Sequence, residues 1–187
     1  KYGYPLMAGG TCHSVQLETG KTPYFYSVTP QTRSRVIPEY TRFYSELKDK
    51  YGYKDVAIVH NDVDHGVENG AEQKDVMEKK GGFNIVLFEK YPLTATDLTP
   101  LALEIKDAKP DIVIAYAYPD DGALLMKNIM AVGFNPKMYY WSVGLQMPPL
   151  LQGVGAVANG MMYMTFWNEG LSEDRYPGTK AYAEAHI

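Results

Sequence analysis

The chain has 187 residues, of which 45% are apolar and 21% charged; 18 basic and 22 acidic side chains leave a formal net charge of −4. That length suits one domain, or one and a fraction, and is enough to hide roughly 70% of the unfolded surface in a core. No basic patch of the nucleic-acid-binding kind is present, a single cysteine (Cys12) excludes an internal disulfide framework, and no run of about 18 apolar residues spans a membrane.

The chain opens Lys1-Tyr2-Gly3-Tyr4, without a start methionine or a signal peptide, so a processed or truncated product is expected. Pro5-Leu6-Met7-Ala8 reads as a short buried strand ended by Gly9-Gly10, and Tyr24-Phe25-Tyr26-Ser27-Val28 as a second strand closed by Pro30. Residues 36–51 predict a helix: Ile37, Tyr40, Phe43, Tyr44, Leu47 and Tyr51 keep a 3.6-type spacing, Pro38 fits the first turn and Gly52 ends it. Val56-Ala57-Ile58-Val59 is an unbroken apolar run, the mark of a strand covered on both faces. It leads into the acidic loop Asn61-Asp62-Val63-Asp64-His65-Gly66, and a helix is predicted from Val67 to Lys80, stopped by Gly81-Gly82.

Ile85-Val86-Leu87-Phe88 is the next predicted strand, followed by a helix capped by Thr96 or Asp97 and running to Ala108. Ile112-Val113-Ile114-Ala115 is another, and its following loop, Tyr116 to Gly122, is the second acidic one, with Asp120 or Asp121 capping a helix to Val132. Strands at Met138–Trp141 and Met161–Thr165 follow, separated by a mixed segment with Pro148-Pro149, and Thr179 starts a last helix. Strand and helix alternate with short loops. The predicted fold class is therefore α/β, a parallel sheet with helices on both faces. In such a sheet ligands bind at the carboxyl ends of the strands, which is where both acidic loops fall.

The candidate chemistry is sparse. Asp62, Asp64 and His65 offer two carboxylates and an imidazole, but the further acidic positions and closing glutamate of a calcium loop are missing, so loop polarity and helix capping is the expected role of the carboxylates and no metal is expected. His65 remains a candidate ligand contact. Cys12-His13 lacks a third partner and no Gly-x-Ser-x-Gly elbow occurs, so no catalytic residue is expected. Neither Gly-x-Gly-x-x-Gly nor a Walker-type motif follows a strand, which disfavours nucleotide cofactors. The turn Gly9-Gly10-Thr11-Cys12 exposes amides and a hydroxyl suited to a carboxylate. Tyr116 and Tyr118 flank one strand end, and Trp141, Ser142 and Gly144 another. Rings with a few polar tips are the ordinary furniture of a small-molecule cleft.

Seven segments, in order, carry a resemblance: Pro5-Leu6-Met7-Ala8-Gly9-Gly10-Thr11; Pro23-Tyr24-Phe25-Tyr26-Ser27-Val28-Thr29-Pro30; Asp55-Val56-Ala57-Ile58-Val59-His60-Asn61-Asp62; Tyr91-Pro92-Leu93-Thr94-Ala95-Thr96-Asp97-Leu98; Lys109-Pro110-Asp111-Ile112-Val113; Met126-Lys127-Asn128-Ile129-Met130-Ala131-Val132-Gly133-Phe134; and Asn159-Gly160-Met161. Their order and spacing over nearly the whole chain resemble the type I periplasmic binding proteins, in the leucine/isoleucine/valine-binding branch of ABC-transporter receptors. The resemblance implies a two-lobed α/β receptor closing on its ligand by a hinge. Residues 1–32 would be a remnant of the first lobe, 33–164 the second lobe, and 165–187 a truncated crossover back to the first. It implies a small organic ligand (an amino acid, or an aromatic or other carboxylate), a membrane permease as partner, no cofactor, and a periplasmic or extracellular location, with a membrane-anchored lipoprotein form compatible. The ligand-binding residues it implies are Gly10, Thr11 and Cys12, with His13 beside them, then His65, Tyr116, Tyr118 and Ser142. The family's acidic residue after the fourth matching strand is replaced by Ser142-Val143. An unpaired buried ammonium is costly, so an uncharged-tail carboxylate or an amide stands beside an α-amino acid as ligand, unless Asp120 or Asp121 supplies the charge. A ligand-sensing domain of a regulator or signalling receptor, and a hydrolase-type α/β enzyme using Asp62, Asp64 and His65, are the alternative readings.

Overall fold

The computed structural model describes residues 5–8, 24–27, 36–144, 147, 151–153, 155, 160–165 and 170–186. Strands β1 (Leu6–Ala8) and β2 (Phe25–Ser27) pair in parallel as a two-stranded sheet of their own. A five-stranded parallel sheet follows, built from β3 (Asp55–Asn61), β4 (Asn84–Tyr91), β5 (Ile112–Tyr116), β6 (Met138–Trp141) and β7 (Met161–Tyr163) in the order β4-β3-β5-β6-β7. The longer helices among the described residues are α1 (Ile37–Tyr51), α2 (Asp64–Val76), α3 (Thr99–Ala108), α4 (Pro119–Ala131) and α5 (Thr179–His186).

Alternation along each strand divides the core in two. Val56, Ile58, Ile112, Ile114, Tyr116, Met138 and Tyr140 face α1 and the end of α2, packing on Tyr44 and Met77. Ala57, Val59, Val113, Ala115, Tyr139 and Trp141 face α3 and α4, packing on Leu101, Ala102, Ile105, Leu125 and Ile129. Most of these side chains are fully buried; each large aliphatic one contributes about 1.5–3 kcal/mol relative to exposure. Helices thus cover both faces, as the unbroken apolar strands require.

The strand order reverses direction between β3 and β5. The chain leaves β3 for one side of the sheet and leaves β5 for the other, opening a crevice at their carboxyl ends. The two acidic segments, separated in sequence by the 49 residues 67–115, become neighbours there.

Several boundaries differ from the sequence expectation, for identifiable reasons. Helix α2 starts at Asp64, not Val67, so His65 lies in its first helical turn and not in a loop. Gly66 reads as a loop residue, but it is a packing requirement: a Cβ there would sit 2.3 Å from Asn61 Oδ1 and 2.4 Å from the Asn61 carbonyl oxygen. Asp64 therefore does not cap the helix; it occupies the first turn, where a negative charge favours the helix dipole. The far end of α2 widens into one π turn, Met77–Gly81, before Gly82 turns the chain at φ 61°. Thr96 and Asp97 are not the terminal residue of α3, which is Leu98, yet Asp97 Oδ1 does accept the Thr99 amide at 2.9 Å. Neither Asp120 nor Asp121 is the cap of α4. Tyr118 holds that position, and Asp121, three residues on, reaches back to accept the Tyr118 amide at 2.9 Å.

Candidate functional site

Four of the residues singled out from sequence meet at the β3–β5 crevice. The His65 ring stacks on Tyr118 with centroids 5.4 Å apart and planes 19° from parallel, and meets Tyr116 edge-on at 6.2 Å. Its Nε2 lies 3.3 Å from Ser142 Oγ, at the end of the neighbouring strand β6. Tyr118 is 36% exposed and forms the outer surface of this group.

Tyr116 sits beneath it. That residue is 2% exposed, its hydroxyl donates to Gln73 Oε1 at 3.0 Å, and its ring abuts Tyr140 edge-on. Burial holds its phenol well above the ordinary tyrosine range, so it is a neutral donor. Ser142 is also buried. Its hydroxyl donates to the Ala117 carbonyl and accepts the Ala117 amide, both at 3.1 Å. With His65 as the third partner, the one donor and two acceptor sites of a serine hydroxyl are all used. Gly10, Thr11 and Cys12, and His13 beside them, lie outside the described residues.

His65 has a determined hydrogen-bond environment. Asn69, one turn further along α2, places Nδ2 2.7 Å from the His65 carbonyl oxygen and 3.0 Å from His65 Nδ1. Only the amide nitrogen can face a carbonyl oxygen, so Asn69 donates to Nδ1 and the ring proton resides on Nε2, directed to Ser142. Burial pushes the imidazole below its ordinary value, and the Asp121 carboxylate works in the opposite direction. With both nitrogens engaged, His65 has no lone pair left for a metal. Asp62 is likewise occupied, accepting the Leu93 amide at 2.8 Å. Asp62 and His65 are thus each engaged with other partners, and among the described residues no group of three or more His, Cys, Asp or Glu side chains is arranged to hold a metal.

Asp121 is the buried anion of the region, 4% exposed. Oδ1 accepts the Tyr118 amide, and Oδ2 accepts the Tyr91 hydroxyl at 2.8 Å and the Asn61 side-chain amide at 3.2 Å. It ties the ends of β3 and β4 to the start of α4. A carboxylate so enclosed and so bonded is a structural tie, not a counter-charge awaiting a ligand ammonium. Asp120, on the preceding position, is exposed.

The sequence reading missed Asn69, Gln73 and Asn61. The signal was present: His65, Asn69 and Gln73 recur every four residues, with Gly66 and Gly70 beside them. The inward face of α2 is polar and glycine-lined, so a search for apolar periodicity passes over it. Gln73 continues the ladder, donating to Thr41 Oγ1 at 3.2 Å while accepting from Tyr116.

The sequence profile of the periplasmic binding protein family matches residues 2–186. A Leu/Ile/Val-binding protein homolog of Brucella abortus is 23% identical over 161 residues, covering 85% of this chain and 38% of its own length. A type 1 periplasmic binding protein from Bordetella pertussis superposes with a TM-score of 0.75 at 21% identity, over 96% of this chain and 49% of that one. A solute-binding protein of an ABC transporter from Rhodopseudomonas palustris, solved in complex with 4-hydroxybenzoate, superposes with a TM-score of 0.65 at 20% identity, over 89% of this chain and 44% of that one. The chain therefore spans less than half the length of that curated relative.

Proposed function

The chain belongs to the periplasmic binding protein family, a family of binding proteins and not of enzymes, and from that premise we propose that it forms part of the solute receptor of an ABC importer. The receptor captures a small organic ligand between two lobes and signals occupancy by hinge closure, since a ligand touching both lobes stabilises the closed state. Residues 33–164 form one lobe, while 1–32 and 165–187 belong to the other. The separate pairing of β1 with β2 supports that division. The receptor works in the periplasm or outside the cell and delivers to a membrane permease.

The observation that carries the reading is the His65–Tyr118 stack at the β3–β5 crevice. It is an uncharged aromatic surface built into the position where an open α/β sheet receives its ligand. His65 and Tyr118 contact the solute, and Tyr116 and Ser142 hold them from below. Gly10, Thr11 and Cys12 supply amides and a hydroxyl to its carboxylate from the opposite lobe. Because Asp121 is consumed by its own partners, an aromatic or aliphatic carboxylate with an uncharged tail fits this lobe better than an α-amino acid. The fold neighbour that binds 4-hydroxybenzoate accords with such a ligand.

The test is a thermal-shift and calorimetric panel of L-leucine, L-phenylalanine, benzoate and 4-hydroxybenzoate. It should use the protein with whatever sequence its gene places around these residues. Saturation by a ligand at 100 times its Kd raises stability by about 2.7 kcal/mol, and His65→Ala should weaken that ligand by about 3–10-fold, the size of one aromatic contact. Preference for leucine over the aromatic acids would overturn the ligand class. Failure of the panel to bind at all, or indifference of binding to His65→Ala, would overturn the site.

A further inference from the structure

We propose that Asn69 and Ser142 are positioning residues that hold His65 in a single neutral tautomer, with its ring fixed against Tyr118, so that the solute meets a flat and uncharged face. This deepens the solute-site reading and rests on it for its purpose, but the lock itself is a property of the free protein.

A histidine on a helix ordinarily has two freedoms that blur a binding surface: it rotates about its side-chain bonds, and it exchanges its proton between nitrogens or gains a second one near neutral pH. Both are removed here by named contacts. Asn69 Nδ2 spans the His65 carbonyl oxygen at 2.7 Å and Nδ1 at 3.0 Å, so the amide is oriented by the backbone before it meets the ring. On the far side Ser142 Oγ accepts from Nε2 at 3.3 Å, and that hydroxyl is itself oriented by the carbonyl and amide of Ala117. Each direction in the chain is fixed by a backbone group: Asn69 gives to Nδ1, Nε2 gives to Ser142, and Ser142 gives to Ala117. The reversed tautomer would set an N–H of the ring against an N–H of Asn69. Adding a proton would do the same.

The titratable groups that face His65 are Asp121 from α4, Tyr116 at the end of β5 and Tyr118 at the cap of α4, and its own helix also carries Asp64 and Glu68. Asp121 is the one that draws a proton towards the imidazole, and burial opposes it. Asp121 is also tied to the Tyr118 amide and to Tyr91 and Asn61, which anchors its charge. Asn69 and Ser142 touch His65 from opposite edges of the ring, leaving its stacking face to Tyr118. Neither has hydrogen-bonding capacity to spare on the ring side.

The test is long-range 1H–15N correlation spectroscopy of the 15N-histidine-labelled protein, free and with 4-hydroxybenzoate or L-leucine, across pH 5–8. In the wild type, His65 should show a bare Nδ1 and a protonated Nε2, unchanged through neutral pH. Asn69→Asp places a carboxylate beside Nδ1 and should raise the protonation midpoint by about one pH unit or more. Asn69→Leu and Ser142→Ala should each produce tautomer exchange, and Ser142→Thr, which keeps the hydroxyl, should restore a single form. A wild-type His65 protonated on Nδ1 or exchanging between forms overturns the proposal, whether or not any variant folds. So does a His65 spectrum indifferent to folded Asn69→Leu and Ser142→Ala. If the expected tautomer is found but neither probe moves the His65 signals, the lock stands, and the solute-site reading, with the purpose given to the lock, is what fails.

Discussion

Gly66→Ala is the most informative single change in this chain, because local propensity and tertiary packing predict opposite signs for it. In an exposed helix interior the substitution stabilises by about 1 kcal/mol, since alanine loses less backbone freedom than glycine. Here the new methyl would lie 2.4 Å from the Asn61 carbonyl oxygen and 2.3 Å from its side-chain oxygen, well inside the 3.0 Å that real Cβ contacts respect. The clash with the carbonyl oxygen is with backbone, in a fully buried residue at the end of β3, and cannot be relieved by a rotamer. Helix α2 must move outward by about half an ångström or more, and overpacking of this kind costs about 1–3 kcal/mol. A clash with backbone this close puts the cost in the upper part of that range, about 2–3 kcal/mol; with the propensity gain of about 1 kcal/mol subtracted, the net expectation is a loss of roughly 1–2 kcal/mol, or a few degrees in Tm for a chain of this size. Urea unfolding measures it, with Gly153→Ala, which has open space around the added methyl, as the control. Since His65 is the adjacent residue, the same shift should disturb its contact with Ser142. An unchanged or raised unfolding midpoint in Gly66→Ala would refute the claim that glycine is there for contact with Asn61.

Asp121→Ala should be among the most destabilising changes in the lobe. It leaves the buried Tyr91 hydroxyl and Asn61 amide without their acceptor, each costing about 1–3 kcal/mol, and frees the part-buried Tyr118 N–H as well; an unfolding midpoint within experimental error of wild type would contradict this. The pH response of His65 has a definite sign. Its folded-state pKa is lowered by burial, so the unfolded chain takes up the proton first. Stability is full above the unfolded value near 6.5, falls as the pH drops towards the lowered folded value, and levels off below it. Comparing the pH dependence of unfolding in wild type and His65→Gln isolates this contribution, and identical profiles between pH 5 and 7 would exclude it.

How far the sequence reaches can be seen strand by strand. Ile112 to Ala115 and Val56 to Val59 are apolar without interruption, which requires cover on both faces and so dictates a parallel sheet between helical layers. Gly52, Gly82 and Gly133, each at positive φ, mark helix ends that were legible because only glycine takes that conformation cheaply. Helix α2 was less legible. Its buried face is carried by Gly66, Asn69, Gly70, Gln73 and Val76, mostly glycines and polar residues that give no apolar period until their partners are known.

The sequence by itself therefore determined the architecture and the edge of the sheet on which to look, because hydrophobic period and helix-stopping residues are local properties. It named His65, Tyr116, Tyr118 and Ser142 as neighbours of that edge. The tertiary structure decided what each does there, because hydrogen-bond capacity is settled by partners distant in sequence. Ser142 reaches back to Ala117 and across to His65, Tyr116 turns down to Gln73, and Asp121 is enclosed by Tyr91 and Asn61. Tyr118 stays exposed there, stacked on the half-buried ring of His65.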